Sequence, residues 1–274
     1  MRLTGKDNTL LKTLRKLNRN PEKDSGGRMA VEGIRVLEEA EKSGCETEAV
    51  VITEDFGKEP RENNLLERWS ARGIRVFQVG EKLFASISAV RAPQGAMALL
   101  RAPRHALKDI IPKKCTLILC ACGIQDPGNL GTLIRTGAAA GVDMVLTTEG
   151  TVSPRNPKTL RASAGAIFII PVIEHLKTGE ILSYCERNEI RMYRTDALAG
   201  VRHTQADLVS SCAVFLGNES SGIYEPAFAR LPAIHIPMPG NTESLNVAAA
   251  GAILMFEAAR QRSASEARNP EAEP

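Results

Sequence analysis

The chain reads as an α/β protein of two domains, on three observations. Short apolar stretches alternate with helical patterns along most of its length, and 43% of its 274 residues are hydrophobic, ample for buried cores. Residues 102–114, which carry Pro103 and Pro112, interrupt that alternation and form the best boundary. The expected division is a first domain at 1–103, a linker at 104–114, a second domain at 115–261, and a disordered tail at 262–274 rich in Glu, Ala, Pro and Ser.

Residues 8–19 predict an amphipathic helix, with Leu10, Leu11, Leu14 and Leu17 on one side and Lys12, Arg15, Lys16 and Arg19 on much of the other. A loop follows to Gly27. A strand at 29–31, a helix near 33–43, a strand at 49–53, a helix near 62–72 and strands at 74–79 and 95–100 complete a small α/β unit. In the second domain, strands are expected at 116–122, 142–147, 166–171, 190–193, 212–216 and 233–236. Helices should cover about 129–140, 156–163, 179–188 and 244–260. Such alternation argues for a largely parallel sheet covered on both faces. Its default connectivity is unknotted and doubly wound.

Net charge is +3, unevenly placed: residues 1–35 hold nine Lys or Arg against four acids, and the remainder sums to −2. Arg101, Arg104, Lys108, Lys113 and Lys114 form a second basic stretch. Clustered positive charge in a balanced chain points to a polyanion. Aromatics are only 4% of residues, which disfavours extensive base-stacking platforms. No apolar run of about 18 residues and no signal-peptide pattern occurs, so a soluble cytoplasmic protein is expected. The six cysteines show no Cys-x-x-Cys pair and read as buried free thiols, with Cys115, Cys120 and Cys122 in or beside one apolar strand. His235 reads as structural, and no metal site is expected.

Three segments carry chemistry. In Asp126-Pro-Gly-Asn129, Pro and Gly break a strand-to-helix turn that Asn129 can cap or orient. Arg135 follows among Leu133, Ile134 and Ala138 to Ala140, and a guanidinium in so apolar a helix calls for an anion. Leu216-Gly217 leads into a Gly-flanked loop with Glu219, whose bland reading is a cap or salt bridge. Ile236-Pro-Met238-Pro-Gly is a stiff loop exposing backbone amides before Ser244-Leu245-Asn246 and a helix of small residues. Ser244 suits an N-cap there. A fourth segment, Ser153 to Gly165, sets Arg155, Lys158 and Arg161 among Pro, Asn and Gly turns, favouring phosphate contact.

In that order and spacing, the three motifs resemble those of the SpoU class (TrmH-like) of SPOUT RNA ribose methyltransferases, over about residues 115–260. Met29-Ala-Val-Glu-Gly-Ile-Arg35, after the basic helix, resembles the small substrate-binding domain, L30e-like in fold, that precedes many members. The resemblance implies a trefoil knot in the C-terminal domain, a homodimer through that domain, and S-adenosylmethionine held around Leu216, Gly217, Ile236, Met238 and Leu245. It also implies a catalytic set of Arg135, Asn129, Glu219, Ser244 and Asn246. RNA, 23S rRNA above tRNA, is the implied substrate, with Lys12, Arg15, Lys16, Arg19, Arg35, Arg155 and Arg161 as the RNA-binding residues.

A guanidinium stays protonated in proteins, so Arg135 suits hydrogen bonding and charge stabilisation at the ribose oxygen better than proton abstraction. Glu219, a phosphate or water could take the proton. Ser244 as cap and Ser244 as catalytic group remain equal alternatives, and Asn246 more naturally orients the site. A non-catalytic RNA-binding assembly factor would be expected to lack Arg135, Glu219 and Asn246. A small-molecule nucleotide enzyme would be expected to carry a phosphate fingerprint, and none is present.

Overall fold

In the computed structural model, residues 1–21, 27–101, 105–218 and 226–268 are described. The chain divides into two compact units, Met1–Arg104 with Ser153–Ile169, and His105–Val152 with Ile170–Pro274.

The first unit opens on α1 (Thr9–Arg19), capped by the Asn8 side chain, with Leu11, Leu14 and Leu17 buried. Then come β1 (Arg28–Glu32), α2 (Ile34–Lys42), β2 (Glu46–Thr53), α3 (Pro60–Ala71), β3 (Val76–Val79), α4 (Glu81–Ile87) and β4 (Ala96–Arg101). The strands form one mixed sheet in the order β1-β4-β2-β3. One face packs Leu11, Leu14, Phe84 and Ile87; the other packs Val36, Leu65 and Trp69. Helix α4 was absent from the expected elements, because seven residues hold too few turns for a periodic signal.

The expected strand at 166–171 is corrected. Residues Pro157–Ala162 form α6, and Ala166–Phe168 is a 3-10 turn entered through Gly165 at φ 91°. Leu160, Ile167 and Phe168 bury against the first unit's core, although the flanking chain belongs to the second unit. An apolar run of this length looks the same in a strand and in a buried turn.

The second unit contains β5 (Leu117–Ala121), α5 (Pro127–Ala140), β6 (Met144–Thr148), β7 (Val172–Leu176), α7 (Thr178–Arg187), β8 (Arg191–Thr195), β9 (Val201–Arg202), β10 (Cys212–Leu216), β11 (Ala233–His235) and α8 (Val247–Arg268). Its seven strands run in the order β7-β6-β5-β10-β8-β11-β9, every pairing parallel. Strands β5 and β10 are buried throughout, as expected of central strands covered on both faces. Their carboxyl ends all face one edge, the usual place for a ligand in an open parallel sheet.

Two further corrections concern this unit. Helix α8 runs on to Arg268, so residues 262–268 are helical where disorder was expected. Gln261 accepts from Leu208 N and donates to Ala206 O; Arg262 donates to the carbonyls of Leu208, Thr116, Ser210 and Cys115. Those side-chain bonds give a polar helix end a reason to stay ordered, which composition alone does not reveal. Cys115 is exposed because β5 starts two residues later, while the other five thiols are buried. Burial pushes Cys212 up to about 11 and Cys185 up to about 12, so neither is poised as a nucleophile. Among the described residues no helix is long and apolar enough to cross a membrane.

Candidate active site

At the carboxyl ends of β8, β10 and β11 lies a cavity of about 250 Å³. Leu216, Gly217, Ile236, Met238 and Leu245, the five positions singled out for the cofactor, all line it, and so does Ser244. The wall is mainly apolar, with Ile234, Val247 and Leu254 contributing side chains and Ala250 leaving room. A ring needing a dry slot and a few backbone partners fits such a lining. These residues therefore suit S-adenosylmethionine. Thr195, Asp196, Ala197 and Asn218 also line the cavity and escaped the sequence reading. The Asp196-x-x-x-Gly200 turn pattern after a strand was the available signal.

The motif loops are tied to one another. Gly123 N donates to Thr148 Oγ1 at 3.2 Å and Thr151 Oγ1 at 3.0 Å, and Asn218 Nδ2 donates to Gly123 O at 3.0 Å. Asp126, rather than Asn129, caps α5, its carboxylate accepting from Asn129 N at 2.9 Å. Asn129 instead accepts on Oδ1 from Asn246 Nδ2 at 3.1 Å. Of the two alternatives for Ser244, the cap is ruled out. Asn246 Oδ1 accepts from Ala248 N at 2.9 Å and Ala249 N at 3.2 Å, so α8 starts there, and Ser244 stays in the exposed loop.

Arg135 departs from its expected surroundings. It lies in α5 on the same exposed strip as Thr132 and Ala139, and Leu130, Leu133, Ile134 and Gly137 face the interior. The helix is apolar on average, yet the phase of the turn puts this guanidinium in solvent. No hydrogen bond or ion pair to another described residue engages it. Glu219 lies outside the described residues.

All seven residues singled out for RNA fall in the first unit, since Arg155 and Arg161 belong to the Ser153–Ile169 segment. They differ in availability. Arg15 is spent on Ser86, donating from Nε to the carbonyl and from Nη2 to the hydroxyl at 3.2 Å each. Lys12 pairs with Asp7 at 2.8 Å. Lys16, Arg19 and Arg35 are exposed, whereas Arg155 and Arg161 are half-buried. Arg161 acts through its charge on Glu32, a buried carboxyl raised by burial and lowered in part by Ser88, Ala89 and that arginine.

Residues 116–256 match the SpoU rRNA Methylase family, and residues 8–98 match the MRM3-like substrate binding domain. The chain belongs to the SpoU rRNA Methylase family. Among relatives of this family, the 23S rRNA (guanosine(2553)-2′-O)-methyltransferase RlmP of Bacillus subtilis is 30% identical over 253 residues, covering 91% of this chain and 95% of its own length. The 23S rRNA (guanosine-2′-O-)-methyltransferase RlmB of Xylella fastidiosa is 30% identical over 237 residues, covering 84% and 95%. The AdoMet-bound rRNA methyltransferase of Sinorhizobium meliloti superposes with a TM-score of 0.84 at 27% identity, covering 95% of this chain and 98% of its own. The SpoU match spans both the motif loops and the cavity they line.

Proposed function

We propose that this chain is an S-adenosylmethionine-dependent RNA 2′-O-ribose methyltransferase acting on 23S rRNA in the cytoplasm. The observation that carries the reading is the cavity at the ends of β10 and β11, with the Asn129–Asn246 bridge joining the first and third motifs. When bound, S-adenosylmethionine supplies an electrophilic methyl group on a sulfonium. Leu216, Gly217, Ile236, Met238 and Leu245 bind it and exclude water. Arg135 donates hydrogen bonds toward the substrate and stabilises negative charge growing on O2′. Asn129 and Asn246 hold the two loops in register, Ser244 contributes from the cavity rim, and Glu219 is a candidate to receive the proton. Methyl transfer needs in-line placement more than covalent help, which suits a site of loops with one cation.

The first unit carries the RNA, through Lys16, Arg19 and Arg35 on exposed positions, with Lys12, Arg155 and Arg161 beside them and Arg15 holding α1 through Ser86. The active form is a homodimer through the second unit, whose all-parallel order with α8 returning against α5 is consistent with a trefoil knot. One observation supports pairing: Ile253 and Phe256 are 38% and 52% exposed on α8. Sedimentation of the purified chain as a monomer at micromolar concentration would refute the dimer. The activity is tested by offering labelled cofactor with separate pools of 23S rRNA, 16S rRNA and tRNA. Label is expected at a ribose of 23S rRNA alone; label confined to tRNA, or to no pool, would overturn the reading.

A further inference from the structure

One wall of the cavity comes from a segment that carries none of the three motifs. Asp196 Oδ1 accepts from Leu198 N at 3.0 Å and Ala199 N at 2.9 Å, and Oδ2 accepts from Arg194 Nη1 at 2.5 Å. The Arg194 hydrogen bond, then that of the Leu198 amide, holds this carboxyl below the usual carboxylate range. The far end of the turn is fixed as well. Gly200 sits at φ +98°, a Cβ there would lie 2.0 Å from Ala233 O, and its carbonyl accepts from His235 Nδ1 at 3.1 Å. At the near end, Thr195 Oγ1 donates to Phe215 O at 3.0 Å, beside the cavity-lining Leu216.

Leu198 is 89% exposed, so apolar burial does not hold this turn in place. Side-chain capping of its amides does that instead. The geometry points to Asp196 as a positioning residue for the cofactor. Its carboxylate folds the 196–199 turn in advance, so that Thr195 and Ala197 stand as a preformed wall and binding does not have to order them. The inference rests on the S-adenosylmethionine reading of the cavity.

The test compares two variants for cofactor Kd and for the separate kinetic constants. Asp196→Ala deletes the side-chain oxygen that accepts from both backbone amides; Asp196→Asn keeps an Oδ1 acceptor for them and gives up the Oδ2 partner of Arg194. Asp196→Ala should raise Kd and KM for S-adenosylmethionine about tenfold or more, and Asp196→Asn should stay within about threefold. In both, kcat at saturating cofactor and affinity for RNA should be near wild type. Equal cofactor affinity in Asp196→Ala and wild type, or equal losses in the two variants, would overturn the proposal. Should Asp196→Ala not fold, hydrogen exchange on the wild type decides. Slow exchange at Leu198 and Ala199 without cofactor supports a preformed wall, and protection that appears only with cofactor overturns it. A wild-type protein that binds no S-adenosylmethionine would remove the cofactor reading and this inference together.

Discussion

The Asn246 side-chain amide donates to the Asn129 side-chain oxygen at 3.1 Å, bridging two segments 117 residues apart. Its own oxygen meanwhile caps α8 through Ala248 N and Ala249 N. Asn246→Asp should keep the cap and turn the bridge into an oxygen–oxygen repulsion, whereas Asn246→Ala loses both. The expected result is strongly reduced methyl transfer in each variant. Only the alanine variant should lose about 1 kcal/mol of stability, read from denaturant unfolding. Equal stability losses would remove the capping role.

Arg135 is exposed and, among the described residues, unengaged, so its removal should cost little stability. Arg135→Ala is expected to lower kcat by about 10²–10³-fold, the scale of a deleted charge-stabilising donor, with cofactor affinity unchanged by calorimetry. Wild-type turnover would take Arg135 out of the mechanism.

Gly251 brings α8 close to α5. A Cβ there would lie 2.3 Å from Leu133 Cδ2 and 2.8 Å from Leu216 Cδ1, and Leu216 lines the cavity. Gly251→Ala should cost about 1–3 kcal/mol by overpacking and weaken cofactor binding as Leu216 shifts. A variant as stable as wild type would show that the helices yield without strain.

Glu32 is 7% exposed and accepts from Ser88 Oγ at 2.8 Å on each oxygen. Burial raises its carboxyl above the ordinary 4.5, outweighing the hydrogen bonds and the Arg161 charge. A raised carboxyl contributes stability that is fully present below the unfolded value and lost as pH climbs through the folded one. Glu32→Gln lacks that loss, so its Tm advantage over wild type should grow from about pH 4 to about pH 7. A pH-independent difference would contradict it.

Since Arg15 is spent on Ser86 and Lys12 pairs with Asp7, the charges of α1 with no partner among the described residues are Lys16 and Arg19. Replacing both with Gln should flatten the slope of log affinity for RNA against log salt by about 1.5, each phosphate contact counting for about 0.7–0.9. Arg15→Gln should act mainly on stability. An unchanged slope in the double variant would move the RNA to another face.

Local signals made the cofactor loops readable. Gly217, Pro237, Pro239 and Gly240 mark places where a strand must end and backbone groups come free, and the structure places Leu216, Ile236, Met238 and Leu245 on one cavity. The alternation of apolar strands with helices likewise foretold a parallel sheet, because residues buried on both faces leave an uninterrupted apolar run. The Thr195–Ala197 wall was harder, since its strand end has no Pro or Gly until Gly200 and its capping bonds close within four residues.

Residue order alone was enough for most of the element types, the basic character of α1 and the three chemical loops, since these follow from periodicity and backbone chemistry within a few neighbours. Tertiary structure decided that Asn246 meets Asn129, which side of α5 carries Arg135, and which core receives Leu160, Ile167 and Phe168. Each of those outcomes depends on a partner far away in the chain, and an apolar or hydrogen-bonding side chain shows its chemistry in the sequence without naming the surface that will satisfy it.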